Sequence, residues 1–293
     1  MCGRYAASAN PDELIEAFEV EIDGTGEPTR SVLANPQDPP AGTPDYNMAP
    51  SKQAPVVLQR RPRGGRGAAG EEQSEPAATA QEPVRQLRLL SWGLVPSWAK
   101  DPGIGMRMIN ARTESLLDKG AFAKPARSRR CLVPARGWYE WQASPVTTDR
   151  RGKPRKQPFF VARADEELLA FAGLYEFWRD PAAEPGSSEA WLTTFTILTG
   201  PAEPGLDRIH DRQPVVLDRD RWADWLDPEL QDESAVQALL SDHRPGRFTA
   251  WPVRPEVNAT RNNGPRLIEP VPVEELDGTV DPTTGEIVGG NPA

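Results

Sequence analysis

The stretch RCLVPARGWYEWQ, residues 130–142, decides the fold of this chain. It holds two short runs rich in β-branched and aromatic residues, 130–134 and 138–142, which are typical of strands. Similar runs extend outward in both directions along the chain. Further strands are predicted at Pro55–Gln59, Val84–Trp92, Pro158–Arg163, Leu168–Leu174, Leu192–Leu198 and Thr249–Val253.

Helices are few. Asn10 followed by Pro11, Asp12 and Glu13 is a helix-start pattern, with an Asn cap, Pro at the first helical position and acids in the first turn. Two surface helices are predicted at Arg219–Leu226 and Glu233–Leu240. Because no alternation of strand and helix runs along the chain, we predict an α+β fold with mixed or antiparallel sheets curled toward a barrel and with peripheral helices.

The organisation predicted is one domain, residues 1–271, with insertions near 24–45 and 60–83. The first insertion is rich in Pro, Gly and Asp, and the second is of low complexity. Two strand connections, 143–157 and 180–189, are predicted as loops. Residues 272–293 are predicted to be a flexible C-terminal tail.

The amino-acid composition argues against several classes of protein. In 293 residues there are two Cys and two His, which argues against a disulfide framework and against the usual zinc sites. No metal and no cofactor is therefore predicted. No apolar run approaches 18 residues and no signal peptide pattern precedes the first helix, so no membrane partner is predicted and a cytoplasmic location is expected.

The net charge of −9 is unevenly distributed. Residues 84–214 carry 20 Lys and Arg against 15 Asp and Glu, so the middle of the chain is basic. Local field governs contacts with phosphate, so an acidic total does not exclude a nucleic-acid partner. It predicts modest affinity that depends strongly on salt.

Cys2 directly follows the initiator Met. Removal of Met1 would leave a terminal cysteine with an amine and a thiol on adjacent carbons, and such an α-amine has a pKa of about 7.7–8, against about 10.4 for lysine. With an aldehyde the amine can form an imine, and the neighbouring thiol can close a five-membered thiazolidine within the same site. The plain alternative is that Cys2 is merely a small residue after the start.

Six segments combine reactive polar residues with aromatic or proline neighbours. They are Met1–Tyr5, Tyr46–Pro50, Trp92–Trp98, Ile109–Glu114, Arg136–Trp141 and Ile209–Pro214. In this order, with Cys at position 2, they resemble the SRAP family, the SOS-response-associated peptidases or abasic site processing proteins. The resemblance implies the SRAP fold and covalent capture of an abasic site in single-stranded DNA. The ring-opened abasic sugar is an aldehyde, and a thiazolidine crosslink through Cys2 would shield it during the response to DNA damage.

The resemblance implies four catalytic residues: Cys2, Asn47, Glu140 and His210. Glu140 lies among aromatic residues and, by strand alternation, faces away from Tyr139 and Trp141, so one face of this strand is expected to be a cleft. Partial burial would raise its pKa and suit it to proton transfer. An exposed strand glutamate is the alternative. His210 would protonate the sugar oxygen in ring opening or assist reversal, unless it is an ordinary loop histidine. Asn47 would bond the amine, the thiol or the sugar, although turn asparagines often serve their own backbone.

DNA contacts are expected from the same segments. Arginine forks match phosphate, and exposed aromatic side chains stack on bases. The residues assigned to DNA are the phosphate ligands Arg4, Arg112 and Arg212, the stacking or wedging residues Trp98 and Met48, and Asn110 as a supporting residue. Core packing is the alternative for Trp98. The run Arg127, Arg129 and Arg130 is either a DNA contact or a solvated edge, and Cys131 is predicted to be a buried structural thiol.

Three functions remain open from sequence. The first is a DNA–protein crosslinking enzyme acting as a monomer on single-stranded DNA with abasic sites and associating with the nucleoid when DNA is damaged, with lyase activity through the imine as a competing outcome. The second is an N-terminal-cysteine peptidase or autoprotease that removes Met1. The third is a DNA-binding module without chemistry.

Overall fold

The computed structural model describes residues 2–62, 82–184, 187, 190–241 and 246–289. The strands within these ranges form two sheets and a small hairpin near the carboxyl terminus. The strands are β1 (Tyr5–Ala7), β2 (Ile22–Asp23), β3 (Asp45–Met48), β4 (Gln53–Arg60), β5 (Val84–Trp92), β6 (Asn110–Arg112), β7 (Arg130–Ala135), β8 (Gly137–Thr148), β9 (Pro154–Arg163), β10 (Leu169–Arg179), β11 (Trp191–Pro201), β12 (Arg212–Pro214), β13 (Phe248–Pro252), β14 (Thr279–Val280) and β15 (Ile287–Val288). The α-helices are α1 (Pro11–Phe18), α2 (Ala123–Ser128), α3 (Trp222–Leu226) and α4 (Glu233–Leu240).

The larger sheet closes on itself. Its strands follow the order β12-β11-β10-β7-β4-β5-β2, and β11 also pairs with β5 in parallel through Thr194 with Ser91 and Phe195 with Trp92. Closure of β4, β5, β7, β10 and β11 gives a five-stranded barrel, in which the strand edges are paired. Barrel formation within a mixed α+β fold, as predicted from sequence, is confirmed.

The second sheet carries the amino terminus. Its order is β13-β9-β8-β1-β3, and β1 lies between β8 and β3 with Tyr5 opposite both Trp138 and Met48. Tyr5 packs edge-on against Trp92 and Phe171 of the barrel, at centroid distances of 5.1 and 5.9 Å. The main core therefore joins the barrel interior to β1 and β8.

Helix α1 begins where the sequence predicts. The side chain of Asn10 accepts a hydrogen bond from the Glu13 amide at 2.9 Å, and Pro11 is the first helical residue. Phe18, on the buried face, stacks on Trp222 at 4.6 Å. This helix covers the outside of the barrel.

The connection at 143–157 differs from the predicted loop. Strand β8 runs on to Thr148 and β9 starts at Pro154, so the turn spans only 149–153. Asp149 organises it by accepting hydrogen bonds from the amides of Arg151 and Lys153 at 2.8 and 3.0 Å. Polar residues occupy these strand ends because one face is solvated, and a loop was therefore the wrong prediction.

The carboxyl-terminal residues also differ from the predicted flexible tail. Strands β14 and β15 form a hairpin, in which Thr279 is buried. Gln142 holds it by donating to Val280 O at 2.9 Å and by accepting from the Val280 amide at 2.7 Å. Tertiary hydrogen bonds of this kind leave no trace in local sequence.

The structure describes the first of the two predicted insertions and little of the second. Residues 24–44 have no helix or strand, and Lys52 bonds this segment by donating to Asp38 O at 2.9 Å. The low-complexity insertion at 60–83 falls largely outside the described residues, as does His243. No helix in the described part of the chain is long and apolar enough to cross a membrane.

Candidate active site

The register of β1 on β8 brings the amino terminus beside Glu140. Tyr5 pairs with Trp138, and the Tyr139 amide donates to Arg4 O at 3.0 Å. Cys2, three residues before Tyr5, lies close enough to Glu140 for the charge of that carboxylate to act on its thiol. Two segments of the resemblance, more than 130 residues apart in sequence, thus meet.

Cys2 is fully buried in the main core together with Tyr5, Met48 and Trp138. Its thiol lies 3.9 Å from Arg4 O. Burial raises the pKa of the thiol well above its usual value, and the nearby Glu140 charge raises it further. The sulfur is therefore a neutral thiol near neutral pH.

Glu140 lines a small cavity that also contains His210 and Arg212. Trp138 lies two residues before Glu140, on the same face of β8, and forms part of the same wall. Only 4% of Glu140 is exposed, and this burial raises its pKa to about 7. The raised pKa agrees with the sequence-based expectation, but the residue faces an internal cavity instead of an open cleft. On the other face, Tyr139 is buried in a cluster with Phe160 and Val257.

His210 enters this cavity from the segment between the 3-10 turn Leu206–Arg208 and β12. The Arg212 amide donates to His210 Nδ1 at 3.0 Å, and Asp211 Oδ1 lies 2.9 Å from the same nitrogen. The amide can only donate and the carboxylate can only accept, so the amide contact suits the neutral ring with Nδ1 unprotonated and the Asp211 contact suits a ring with a proton on Nδ1. Burial lowers the pKa of His210, which favours this neutral form.

Asn47 lies next to this region but bonds to protein groups. Its Oδ1 accepts from Arg4 Nη1 at 2.6 Å. Its Nδ2 contacts the carbonyls of Val257, Ala259 and Asn262 at 3.0–3.2 Å. The amide predicted to touch the reactants therefore latches β3 onto the 255–262 segment.

The three arginines assigned to phosphate have different surroundings. Arg4 bonds Asn47 and, at 2.8 Å, Val257 O. Arg212 forms an ion pair with Glu114, lowering the pKa of that carboxyl to about 2, and donates to Thr199 O at 2.5 Å. Arg112 is exposed, and no acceptor within the described ranges bonds its guanidinium.

Asn110 belongs to the parallel pairing of β6 with β11. It lies opposite Ile197 and donates weakly to Ile197 O at 3.4 Å. Its buried Oδ1 has no hydrogen-bond partner among the described residues. Asn110 thus lies beside β11, and its supporting role stays a prediction.

The two predicted stacking residues differ in their exposure to solvent. Trp98 is 63% exposed, on the loop that follows β5, so core packing does not apply to it. Met48 is 2% exposed and packs in the main core, because β3 directs it inward beside Tyr5. The prediction that Met48 wedges between bases is therefore wrong for this conformation.

The basic run before β7 serves the fold. Arg130 is buried and donates to Trp225 O at 2.6 Å and Ala126 O at 2.9 Å. Arg129 pairs with Glu176 at 2.6 Å, and Arg127 pairs with Glu233. Arg130 and Arg129 are thus held within the fold, whereas the Arg127 pair is exposed, as on the solvated edge that the sequence left open. Cys131 is buried, as predicted.

Sequence reasoning missed the groups that hold Asn47 in place. Lys52 and Asp45 form an ion pair at 2.7 Å, and Asp45 Oδ1 also accepts from the Asn47 amide at 2.8 Å. Asn263 Oδ1 accepts from the Tyr46 amide at 2.7 Å. The only local signal was the density of asparagines after β13, at 258, 262 and 263.

A model of the SOS response associated peptidase (SRAP) family matches residues 1–260. The chain belongs to the SRAP family. Among curated relatives, it is 34% identical to the abasic site processing protein YoqW of Bacillus subtilis over 271 residues, 92% of this chain and 99% of that one. It is 30% identical to the abasic site processing protein HMCES of Rattus norvegicus, over 92% of this chain and 76% of that one.

Solved structures share the SRAP fold seen here. A protein from Bacteroides thetaiotaomicron aligns with a TM-score of 0.67 at 19% identity, over 92% of this chain and all of that one. A phage-related protein from Bordetella bronchiseptica aligns with a TM-score of 0.53 at 27% identity, over 86% of this chain and 94% of that one.

Proposed function

We propose that this chain processes abasic sites in DNA, capturing the lesion covalently through Cys2 after Met1 has been removed. The observation that carries the proposal is that the β1–β8 pairing brings the amino-terminal segment with Cys2 to the strand of Glu140, and Glu140 lines a cavity together with His210. The names of the curated relatives support the substrate class.

The proposed reaction joins one carbon to two atoms of Cys2. The free α-amine attacks the aldehyde carbon of the ring-opened sugar, and the resulting carbinolamine loses water to give an imine. The thiol then adds to the imine carbon while its proton moves to nitrogen, which closes the thiazolidine. One water molecule is lost overall. In the chain that retains Met1 this nitrogen is acylated, so the reaction requires removal of Met1.

Glu140 and His210 suit the proton transfers of this reaction. With a pKa of about 7, Glu140 exchanges protons readily near neutral pH, as dehydration of the carbinolamine requires. His210 lines the same cavity, where its ring can give a proton to the sugar oxygen during ring opening. Asn47 and Arg4 hold the wall of the site through the 255–262 segment instead of contacting the sugar.

The DNA partner proposed is single-stranded. Trp98 is exposed and can stack on a base beside the lesion, and exposed Arg112 can bind a phosphate. Breakage of the strand by β-elimination from the imine is the competing outcome, which ring closure by the thiol suppresses.

The deciding experiment incubates the purified chain with a single-stranded oligonucleotide carrying one abasic site. Wild type should give a denaturation-stable adduct, and its intact mass should show loss of one Met residue. Cys2→Ala should give no adduct, and Glu140→Gln should form the adduct more slowly while binding DNA as wild type does. An adduct that persists in Cys2→Ala, or active protein that retains Met1, would refute the proposal.

A peptidase role limited to the Met1–Cys2 bond is the second candidate, favoured by the position of the Cys2 thiol next to Glu140. Under this proposal the chain removes its own Met1. Glu140→Gln produced in cells lacking methionine aminopeptidase activity would then retain Met1, whereas wild type from the same cells would lose it. Retention of Met1 by both proteins would exclude self-processing.

A further inference from the structure

We propose that the mouth of the five-stranded barrel is a second binding site, for a nucleoside phosphate. This mouth is a cavity of about 470 Å³ at the end where β4 and β10 finish and β5 and β11 begin. Its size is in the range of small-molecule sites, which often occupy barrel mouths. It shares no lining residue with the cavity that contains Glu140.

Strand alternation directs a charged and aromatic set into this mouth. Leu58, Leu90 and Phe195 belong to the inner face of the barrel. Residues an even number of positions from them therefore also face inward. Tyr175 of β10 belongs to the same inner face. The set that reaches the mouth in this way is Arg60, Arg88, Phe177, Arg179, Trp191 and Thr193.

The polar side of the mouth is built around Gln86. This buried amide oxygen accepts from Arg60 Nε at 3.2 Å and from Arg88 Nη2 at 2.9 Å. Two guanidinium groups thus converge on one neutral atom. Arg88 also forms an ion pair with Glu27, which is the one carboxylate among the described lining residues.

Four arginines line the mouth among the described residues: Arg30, Arg60, Arg88 and Arg179. Arg30 pairs with Asp180 at 2.7 Å. The described residues of the lining, counted together with Asp180, hold four arginines and two carboxylates, in a chain whose net charge is −9.

The apolar side of the mouth offers flat surfaces. Trp191 is 50% exposed, and Phe177 lies under the Arg60 guanidinium at 5.7 Å from the ring centre. Arginine forks bind phosphate bidentately, and an exposed indole stacks on a base. A ligand with a phosphate and an aromatic ring matches both sides. Such a ligand is either a free nucleotide or the phosphorylated end of a strand.

Calorimetric titration with dAMP tests the site without use of the crosslinking reaction, so its failure is distinct from failure of the proposed function. Wild type and Cys2→Ser should both bind dAMP saturably, and adenosine or inorganic phosphate alone should bind more weakly. Arg60→Ala and Trp191→Ala should each weaken dAMP binding about tenfold or more, as expected for loss of a charge-assisted contact or a stacked ring. Arg155→Ala, an arginine on the other sheet, is the matched control and should bind as wild type does.

A second titration distinguishes a free nucleotide from the phosphorylated end of a strand as the ligand. A short undamaged oligonucleotide with a 5′-phosphate is compared with the same strand ending in a 5′-hydroxyl. Preference for the phosphorylated strand that disappears in Arg60→Ala assigns the site to strand ends, and equal binding of the two strands alongside dAMP binding assigns it to free nucleotides. Absence of saturable dAMP binding by wild type, or unchanged binding by folded Arg60→Ala and Trp191→Ala, would overturn the proposal.

Discussion

Arg4 and Asn47 are joined side chain to side chain, with Arg4 Nη1 donating to Asn47 Oδ1 at 2.6 Å. Both residues also bond Val257 O, at 2.8 and 3.2 Å. One carbonyl of the 255–262 segment is thus held by Arg4, which directly precedes β1, and by Asn47 of β3. Because the oxygen and the nitrogen of the Asn47 amide are both bonded to protein atoms, this residue acts as a latch next to the site.

Replacement of Asn47 by Ala should therefore destabilise the folded chain. It removes the bond from Arg4 and the contacts of Nδ2 with three backbone carbonyls, although Val257 O keeps its bond from Arg4. Losses of this kind lower the free energy of unfolding by roughly 2–4 kcal/mol. Urea unfolding measures this change. Asn258→Ala, which removes one exposed bond to Trp141 Nε1, is the matched control and should cost well under half as much. Equal costs for the two variants would contradict the latch.

The latch also shows what the sequence could and could not predict. The cap of Asn10 on Glu13 and most strand positions were predictable, because they depend on neighbouring residues. The three carbonyl partners of Asn47 lie more than 200 residues away, so no local pattern reports them. Met48 failed for the same reason: its motif suggested contact with DNA, but the pairing of β3 with β1 turns it into the core.

The feature of the site that depends on neighbouring residues was also predictable from the sequence. Glu140 was expected to have a raised pKa from its aromatic neighbours, and it does. The identity of the cavity wall was not predictable, because His210 and Arg212 arrive from another sheet. Burial by distant segments also closed the cleft that strand alternation suggested.

The buried carboxyl of Glu140 should make stability depend on pH. Its pKa rises from 4.5 to about 7 on folding, so between these values the folded chain holds a proton that the unfolded chain has released. The free energy of unfolding therefore falls as the pH rises through this window, by roughly 2–3 kcal/mol. Glu140→Gln does not titrate and lacks this loss.

Unfolding of wild type and Glu140→Gln at pH 5 and pH 8 checks this linkage. The variant should gain stability relative to wild type by roughly 2 kcal/mol on going from pH 5 to pH 8. A stability difference that is the same at both pH values would show that Glu140 is not held in a desolvated state.

Trp98 should contribute to DNA affinity by stacking. Trp98→Ala removes an exposed ring, and loss of one base–aromatic contact weakens binding by about 5- to 100-fold. Fluorescence anisotropy with undamaged single-stranded DNA measures this loss. Val146→Ala, which trims another exposed apolar side chain, should leave affinity unchanged. A Trp98→Ala affinity equal to that of wild type would remove Trp98 from the DNA path.

Arg112 should act through charge alone. Loss of a single phosphate contact lowers the slope of log affinity against log salt by about 0.7 for a single strand. Arg112→Ala should show this smaller slope in the same anisotropy assay, with a uniform loss across DNA sequences. A weakened affinity with an unchanged slope would mean that Arg112 does not meet a phosphate.

The C-terminal hairpin should position the histidine of the site. Gln142 donates to Arg208 O at 3.1 Å and to Val280 O at 2.9 Å, so it bridges the His210 segment to β14. Arg208 in turn donates to Pro282 O at 2.5 Å. These residues of the hairpin lie beyond the matched range 1–260. Deletion of residues 276–293 removes the bond of Gln142 to Val280 and the bond of Arg208 to Pro282. Both bonds support the chain at Arg208, two residues before His210.

The truncated chain should form the abasic adduct several-fold more slowly and bind undamaged single-stranded DNA with unchanged affinity, because Trp98 and Arg112 lie on other segments. Gln142→Leu should reproduce the slower reaction with the hairpin still present, which separates positioning from a general loss of stability. Deletion of residues 290–293 alone is the matched control and should react as wild type does. Wild-type rates in the longer deletion would mean that the His210 segment keeps its conformation without the hairpin.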